Sequence, residues 1–524
     1  MQPADWIAHD PDPITRAELE GLDDAALAAR FAGPLEFGTA GLRGEIGGGE
    51  SLMNIATVTR TTAGLAAWLL RQVDNPVVVV GCDARHRSSD FHQATCEVLS
   101  AAGVKVLRLP AGNPTPLTSF AVRHYGADAG IMITASHNPA KDNGYKVYLG
   151  GRVVEDDTAR GVQLISPADA EITEAIARIG WADEVARDDA RIEDVDPHES
   201  YIDTAVSLVG QAPRDLPIVI TAMHGVGGEL LLEVLRRAGF NATTPVSEQQ
   251  QPHPDFPTVA FPNPEEEGAL DLAVATAKKV GAELILALDP DADRCSVAIP
   301  TDMGWEQLSG DRIGALLGEG AARQAGGEGT LSASIVSSQL LGAIAKRHGL
   351  NYQPTLTGFK WIGRVDGLVF GYEEAIGYCV DPVHVRDKDG ITACLKVADL
   401  ASRVPLGEFG AEIDQIYGAW VTTPLTIRCE EPEQIQAMVA RLQDNPPREL
   451  AGSEVVEKAD LSQGYRGVPA TTGVLLRTAA DDRIIVRPSG TEPKLKCYIE
   501  VVGQERSSAH SRALSIKAEL SSLL

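Results

Sequence analysis

The sequence predicts an α/β fold: three similar mixed α/β domains followed by a smaller α+β domain. Three observations predict it. Strands alternate with helical patterns through most of the 524 residues, which is the pattern of α/β proteins. A chain of this length exceeds one hydrophobic core and suggests roughly three or four domains. Beyond residue 418 the character changes, with short strands and no clear crossover helices between them.

Taken in order, "NPVVVVGCDAR" (75–85) is a near-continuous β-branched run that ends in glycine and aspartate. "GIMITASHNP" (130–139), "DLPIVITAMHGVGG" (215–228) and "AELILALDPDADR" (282–294) repeat that design. Runs that are apolar throughout belong to strands covered on both faces. Each gives way to polar residues and a turn, at the end where open α/β sheets place ligands. "GALDLAVATAKKVG" (268–281) sets Leu270, Ala273 and Ala277 at helical spacing and stops on Gly281. Acidic "WADEVARDDARIEDVDPHES" (181–200) reads as a solvated connector before the helical "YIDTAVSLV", which puts a boundary near 200. A second falls near 303, where "VAIPTDMGWEQLSGD" supplies a hairpin-like turn before the helix "DRIGALLGEGAARQ". A third falls near 418, and "ALSIKAELSSLL" closes the chain with Ala513, Ile516, Leu520 and Leu523 on one helical face. The expected domains are 1–200, 201–303, 304–418 and 419–524.

Composition narrows the function. Hydrophobic content of 44% and charged content of 23% are ordinary for a soluble protein. No window approaches the roughly 20 apolar residues that cross a bilayer, and the acidic start lacks the apolar stretch of a signal peptide. Seven cysteines are scattered singly, with no pair at metal-finger or redox spacing. Reduced thiols in a cytoplasmic protein are expected. A formal charge of −27 argues against nucleic acid and anionic membrane as partners. Small anionic substrates remain open to it, because salt screens distant charge and a local basic pocket can prevail.

Four polar clusters carry chemistry. In "GIMITASHNPAKDNGYKVY" (130–148) a serine, Ser136, sits at the mouth of a strand, where a hydroxyl can accept a transferred group. His137, Lys141 and Lys146 in the same loop are candidate bases. In "LDPDADRC", Asp289, Asp291 and Asp293 repel one another unless a cation sits between them. Hard oxygen ligands at a strand end suit Mg²⁺, and Arg294 adds a phosphate donor. "GYEEAIGYCVDPVHVRDKDG" (371–390) offers Glu373 and Glu374 for sugar hydroxyls, with His384, Arg386 and Lys388 to neutralise phosphate. Upstream, "TLTGFKWIG" (355–363) supplies Thr357, Gly358 and Lys360 beside an aromatic surface. In "VRPSGTEPKLK" (486–496), Arg487, Ser489, Gly490 and Thr491 form a compact anion cradle.

In this order, over nearly the whole chain, these stretches resemble the α-D-phosphohexomutase superfamily of phosphoglucomutases and phosphomannomutases. "TASHNP" is similar to its phosphoserine loop, "DPDADR" to its metal loop, "GYEEAIG" to its sugar-selecting loop and "RPSGTEP" to its phosphate-binding loop. "EFGTAGLRG" (36–44) is similar to its N-terminal basic loop and would place Arg43 in the site. The resemblance implies four domains around a central cleft. It also implies a hexose 1-phosphate to hexose 6-phosphate mutase with a phosphosugar substrate, with glucose favoured and then mannose. Ser136 would carry the phosphoryl group beside Mg²⁺ held by Asp289, Asp291 and Asp293. Glucose 1,6-bisphosphate would be both activator and intermediate. Lys146 and Lys388 would be acid/base groups and His137 would support the serine loop. A lysine base requires a lowered pKa, which burial beside Arg294 and the metal would supply. Arg43, Arg294, Thr357, Gly358, Lys360, Glu373, Ala375, Arg487, Ser489, Gly490 and Thr491 would contact substrate.

The sugar loop departs from the common pattern. Many members carry Glu-x-Ser there, whereas Glu373 is followed at that spacing by Ala375. The loop resembles a subgroup that also holds phosphopentomutases and glucose-1,6-bisphosphate synthases, which are therefore alternative activities. Two rival readings differ in class. A haloacid-dehalogenase-type phosphatase would use Asp289 as nucleophile and leave Ser136 dispensable. A non-catalytic sugar-phosphate sensor would bind ligand without turnover.

Overall fold

The computed structural model describes residues 2–38, 41–429, 431–489 and 494–524. They form two compact units, Met1–Gln307 with Gly377–Ser402, and Leu308–Ile376 with Arg403–Leu524.

In the first unit one sheet runs β1 (Leu42–Glu45), β5 (Asp142–Leu149), β4 (Ala129–Ile133), β2 (Val77–Cys82), β3 (Lys105–Ala111) and β7 (Ile192–Asp194). Strand β6 (Val162–Gln163) adds to β5. β2 pairs in parallel with β3 and β4, and β5 is antiparallel to β4. The valine run is buried on both faces, as its unbroken hydrophobicity demands. Val78 and Val80 pack with Ile131, Ile133 and Phe91 on one side, and Val79 with Leu107, Leu109 and Met132 on the other. Each such valine contributes roughly 2 kcal/mol of burial, so this sheet is a firm platform for the loops at its ends.

The stretch 181–200 is more than a solvated connector. Within it, β7 pairs with β3 and extends the sheet, Ile192 packs on the core, and Trp181 stacks on His9 at 4.7 Å. Its acidic composition hid one apolar side chain and an aromatic that both found partners.

The second sheet of this unit runs β12 (Gly304–Gln307), β11 (Cys295–Thr301), β10 (Leu284–Leu288), β8 (Ile218–Thr221) and β9 (Thr243–Pro245). β8 and β10 are parallel, whereas β10 and β11 form an antiparallel pair joined through residues 289–294. The helix before β10, Asp271–Val280, stops at Gly281, whose φ of 69° is the left-handed cap that glycine adopts without strain. The segment Gly377–Ser402 contributes β16 (Gly377–Cys379) and the helix Gly390–Ala401, which packs on β10 and β11. Asp389 caps that helix by accepting from the N–H groups of Ile391 and Thr392.

In the second unit β13 (Thr330–Ser334) lies in parallel between β14 (Asn351–Thr355) and β15 (Leu368–Glu373). The C-terminal sheet is antiparallel throughout its long pairings. It contains β17 (Ala419–Arg428), β18 (Glu449–Leu450), β19 (Ser453–Asp460), β20 (Val474–Thr478), β21 (Arg483–Pro488) and β22 (Lys494–Gly503), in the order 17-22-21-20-19-18. Antiparallel neighbours need no crossover helices, which is why the sequence shows none there. Ala513, Ile516 and Leu520 of the last helix, Arg506–Leu523, pack on Val474, Ile484 and Cys497. Among the described residues no helix is long and apolar enough to cross a membrane.

Candidate active site

Two loops of the first unit meet at a buried acidic cluster. Strand β4 ends at Ile133, and the chain turns through Thr134, Ala135 and Ser136. Ser136 takes a φ of 53°, a left-handed conformation uncommon for a residue with a Cβ. Its N–H donates to the Thr134 hydroxyl at 2.9 Å. The turn points its hydroxyl at Asp289, donating to Oδ2 at 3.2 Å, and the His137 ring nitrogen Nδ1 lies 3.1 Å from Oγ.

Asp289, Asp291 and Asp293 follow β10 and are wholly buried. Ala292, at φ 59°, bends the turn so that alternate side chains converge. One carboxylate oxygen of each lies within 4.8 Å of the others. Lys146, on β5, sets Nζ 2.8 Å from Asp291 Oδ2 and 3.0 Å from Asp293 Oδ2. Lys388 reaches Asp293 Oδ2 at 3.4 Å. The Arg294 backbone N–H donates to Asp289 Oδ1 at 3.0 Å. Asp291 Oδ1 and Asp293 Oδ1 are buried with no hydrogen-bond partner. Three hard oxygens, two of them unsatisfied, fit a small divalent cation.

Charge is distributed unevenly in this cluster. Burial, then the charges of Asp291 and Asp293, push the Asp289 carboxyl well above its ordinary range. Burial acts against ionisation of Asp291 too, but Lys146 more than offsets it and holds that carboxyl low. For Lys146 itself the expected lowering is reversed. Burial pulls its pKa down, yet Asp291 and Asp293 outweigh it and keep the ammonium charged. Ion pairs with Asp291 and Asp293, which sequence proximity does not reveal, decide the outcome over burial. His137 behaves in the opposite sense, since burial and the guanidinium groups of Arg294 and Arg43 push it well below 6.5.

Other candidates separate. Arg43 joins the serine loop, with Nη1 donating to Asn138 Oδ1 at 3.2 Å. Lys141 does not serve the serine, because it lies on the surface paired with Glu45. His384 pairs with Asp381, and Arg386 donates to the Thr158 carbonyl. Of the three cations expected to neutralise phosphate in that stretch, Lys388 alone reaches the aspartates.

In the second unit a further set assembles around the end of β15. Glu373 Oε1 accepts from the Gly358 N–H at 2.6 Å, and Arg487 donates to the Thr357 hydroxyl at 2.5 Å. Gly358 adopts φ 112°, closed to other residues without strain. Lys360 follows on the short helix Phe359–Ile362, and Ala375 comes two residues after Glu373. Glu374 turns inward to the hydroxyls of Ser334 and Ser337, and burial and the Glu373 charge raise its pKa to about 7. Ser489 donates its N–H to the Lys494 carbonyl at 2.8 Å. Gly490 and Thr491 lie outside the described residues.

Sequence reasoning missed three residues of the first site. Thr115 donates its hydroxyl to Asp291 Oδ2 at 2.7 Å and its N–H to the Asp291 carbonyl. Arg85 and Asp83 hold the serine loop from behind. The signal for the last two was present: "CDAR" closes an all-apolar strand with an aspartate and an arginine, as "DPDADR" does at the aspartates.

Four domain models of the phosphoglucomutase/phosphomannomutase family match the chain: alpha/beta/alpha domains I, II and III over 34–181, 199–304 and 309–418, and the C-terminal domain over 425–510. The chain therefore belongs to that family, and it is an enzyme, a phosphotransferase of the mutase type. A Haemophilus influenzae protein named "Probable phosphomannomutase" is 41% identical over 87% of this chain and 94% of its own. The phosphopentomutase of Mus musculus is 34% identical over 96% and 90%. In fold the chain is similar to the open form of parafusin, a phosphoglucomutase from Paramecium, with a TM-score of 0.69, 19% identity, and coverage of 94% of this chain and 95% of that one.

Proposed function

We propose that the protein interconverts hexose 1-phosphate and hexose 6-phosphate, glucose favoured and then mannose, through a phosphoserine at Ser136. The observation that carries this reading is the Ser136 hydroxyl, 3.2 Å from Asp289 inside the buried aspartate cluster. The Oγ–P bond breaks as a sugar hydroxyl oxygen attacks, with its proton taken up by one acid/base group and Oγ protonated by another, which gives a bisphosphorylated sugar and free Ser136. The sugar then returns its other phosphoryl group to Oγ. Glucose 1,6-bisphosphate is that intermediate for glucose and loads the serine at the outset. Asp289, Asp291 and Asp293 would hold Mg²⁺ beside the serine phosphate, and the ion would supply charge stabilisation to the transfer.

This chain's own residues do the rest. Lys146, kept protonated by its aspartates, enters as a proton donor, and Lys388 is the second acid/base candidate. His137, kept neutral, supports the serine hydroxyl. Arg43 and Arg294 serve phosphate. In the second unit Glu373 and Ala375 select the sugar, and Thr357, Gly358, Lys360, Arg487, Ser489, Gly490 and Thr491 serve its phosphate end.

A second reading has its own support. Ala375 lacks the hydroxyl that a hexose would use, and a relative similar over most of the chain is named a phosphopentomutase. A coupled assay decides between them, comparing glucose 1-phosphate, mannose 1-phosphate and ribose 1-phosphate with Mg²⁺ and glucose 1,6-bisphosphate. The hexose reading expects the glucose ester to turn over fastest, and preference for ribose 1-phosphate would replace it with the pentose reading.

A further inference from the structure

The side chain most heavily committed to the serine loop belongs to neither loop nor cluster. Arg85, in the turn after β2, is buried to 4% exposure in a chain whose arginines are mostly at the surface. Its Nη2 donates to the carbonyls of Ser136 at 2.6 Å and Asn138 at 2.7 Å, and its Nη1 to those of Pro139 at 2.8 Å and Asp142 at 3.2 Å. Its Nε faces Asp83 Oδ2 at 3.4 Å. Asp83 is fixed in turn, accepting from the Ser88 hydroxyl at 2.6 Å and from the Arg85 N–H at 3.0 Å. The ring of Phe256 closes one face of the guanidinium, with its centroid 5.0 Å from Cζ.

A guanidinium has five N–H donors in a rigid plane. Here four are spent on loop carbonyls, and the fifth, Nε–H, makes no hydrogen bond but is buried against Asp83. None is turned toward a phosphate. We infer that Arg85 is a positioning residue: it fixes the backbone of residues 136–142 in the shape that presents the Ser136 hydroxyl, and it does not bind the phosphoryl group. The left-handed φ of Ser136, uncommon for a residue with a Cβ, gives the clamp its purpose, since releasing the Ser136 carbonyl frees the turn to depart from it. Lysine cannot replace it, because one ammonium cannot span four carbonyls arranged along a turn.

This inference rests on the mutase reading for its kinetic test but not for its structural one. The first measurement is amide hydrogen exchange on wild type and Arg85→Lys in Mg²⁺ buffer, with Asp83→Asn as a milder second variant. Faster exchange confined to residues 134–143, with the β2 and β4 amides unchanged, is expected. Unchanged exchange in that loop overturns the clamp whatever the enzyme's substrate. The second is steady-state kinetics on the preferred phosphosugar. The clamp predicts that kcat falls at least about 30-fold while KM changes less than about threefold, since a misplaced nucleophile costs turnover rather than binding. A KM raised tenfold or more with kcat preserved would make Arg85 a phosphate ligand and overturn the assignment. Wild type inactive on every phosphosugar would instead overturn the mutase reading and leave the exchange result standing.

Discussion

The molecule contains the same loop twice. Thr134-Ala135-Ser136-His137 follows β4, and Thr221-Ala222-Met223-His224 begins on the last residue of β8 and makes the corresponding turn. In each, the third residue is left-handed, at φ 53° and 49°, and its N–H donates to the threonine hydroxyl, at 2.9 and 3.0 Å. In each, the alanine carbonyl accepts from the residue three positions on. What surrounds them differs. Arg85 grips the first through charge, whereas Gln249 grips the second through neutral bonds to Thr221 and the His224 N–H. Ser136 meets the front of the aspartate turn. The second loop backs it, with the Val226 N–H on the Pro290 carbonyl and Gly225 so close that a Cβ would fall 2.4 Å from the Pro290 oxygen. Backbone geometry is therefore shared, and what distinguishes the first loop is one hydroxyl and its charged neighbours.

The largest effect should separate the third positions. Ser136→Ala removes the proposed covalent carrier and should cost at least about a hundredfold in turnover, while Met223→Ala should leave kcat within about threefold and lower Tm instead. Steady-state assays and thermal melts on both variants check this, and equal losses of turnover would break the comparison. Next comes the turn between the loops. Asp291→Ala strips Lys146 and Thr115 of a shared partner and removes one of the oxygens proposed to hold the metal. It should lower kcat by at least about tenfold with sugar binding nearly intact, as read by turnover and by calorimetric titration of a sugar phosphate.

A smaller effect concerns the neutral grip. Gln249→Leu leaves Thr221 and Thr258 without their amide and should destabilise the protein by about 1–3 kcal/mol, with turnover scarcely changed. Urea melts and an activity assay test it. The smallest is a pH effect on the two histidines. Burial lowers both, His137 further than His224, with Arg294 and Arg43 adding to the first and His253 to the second. Below pH 6.5 the native state binds fewer protons than the unfolded chain, so stability falls as pH drops through that value. His137→Gln should flatten this fall more than His224→Gln does, measured as Tm between pH 5 and 8 (an ordinary buffer range).

Much of this was legible in the sequence. The all-apolar runs ending in polar turns marked β2, β4, β8 and β10, because strands buried on both faces cannot alternate. The aspartate triad was legible because three carboxylates so close in sequence require a cation. Pairings across sequence were not. Arg85 and Thr115 act on residues 51 and 176 positions away, and nothing local announces such partners. The charged state of Lys146 was misjudged for the same reason, since it depends on which carboxylates the fold brings to it. The edge strand Ile192–Asp194 was lost in an acidic stretch where one isoleucine sufficed to dock it.

The central claim is that Ser136 carries the phosphoryl group. Peptide mass spectrometry on the wild-type enzyme, loaded with glucose 1,6-bisphosphate and Mg²⁺ and quenched in acid, tests it most directly. The account predicts a phosphoryl mass increment on the serine of the peptide containing residues 134–141, lost when glucose 1-phosphate is added in excess. An increment on Asp289, or full turnover with no modified serine, would contradict it.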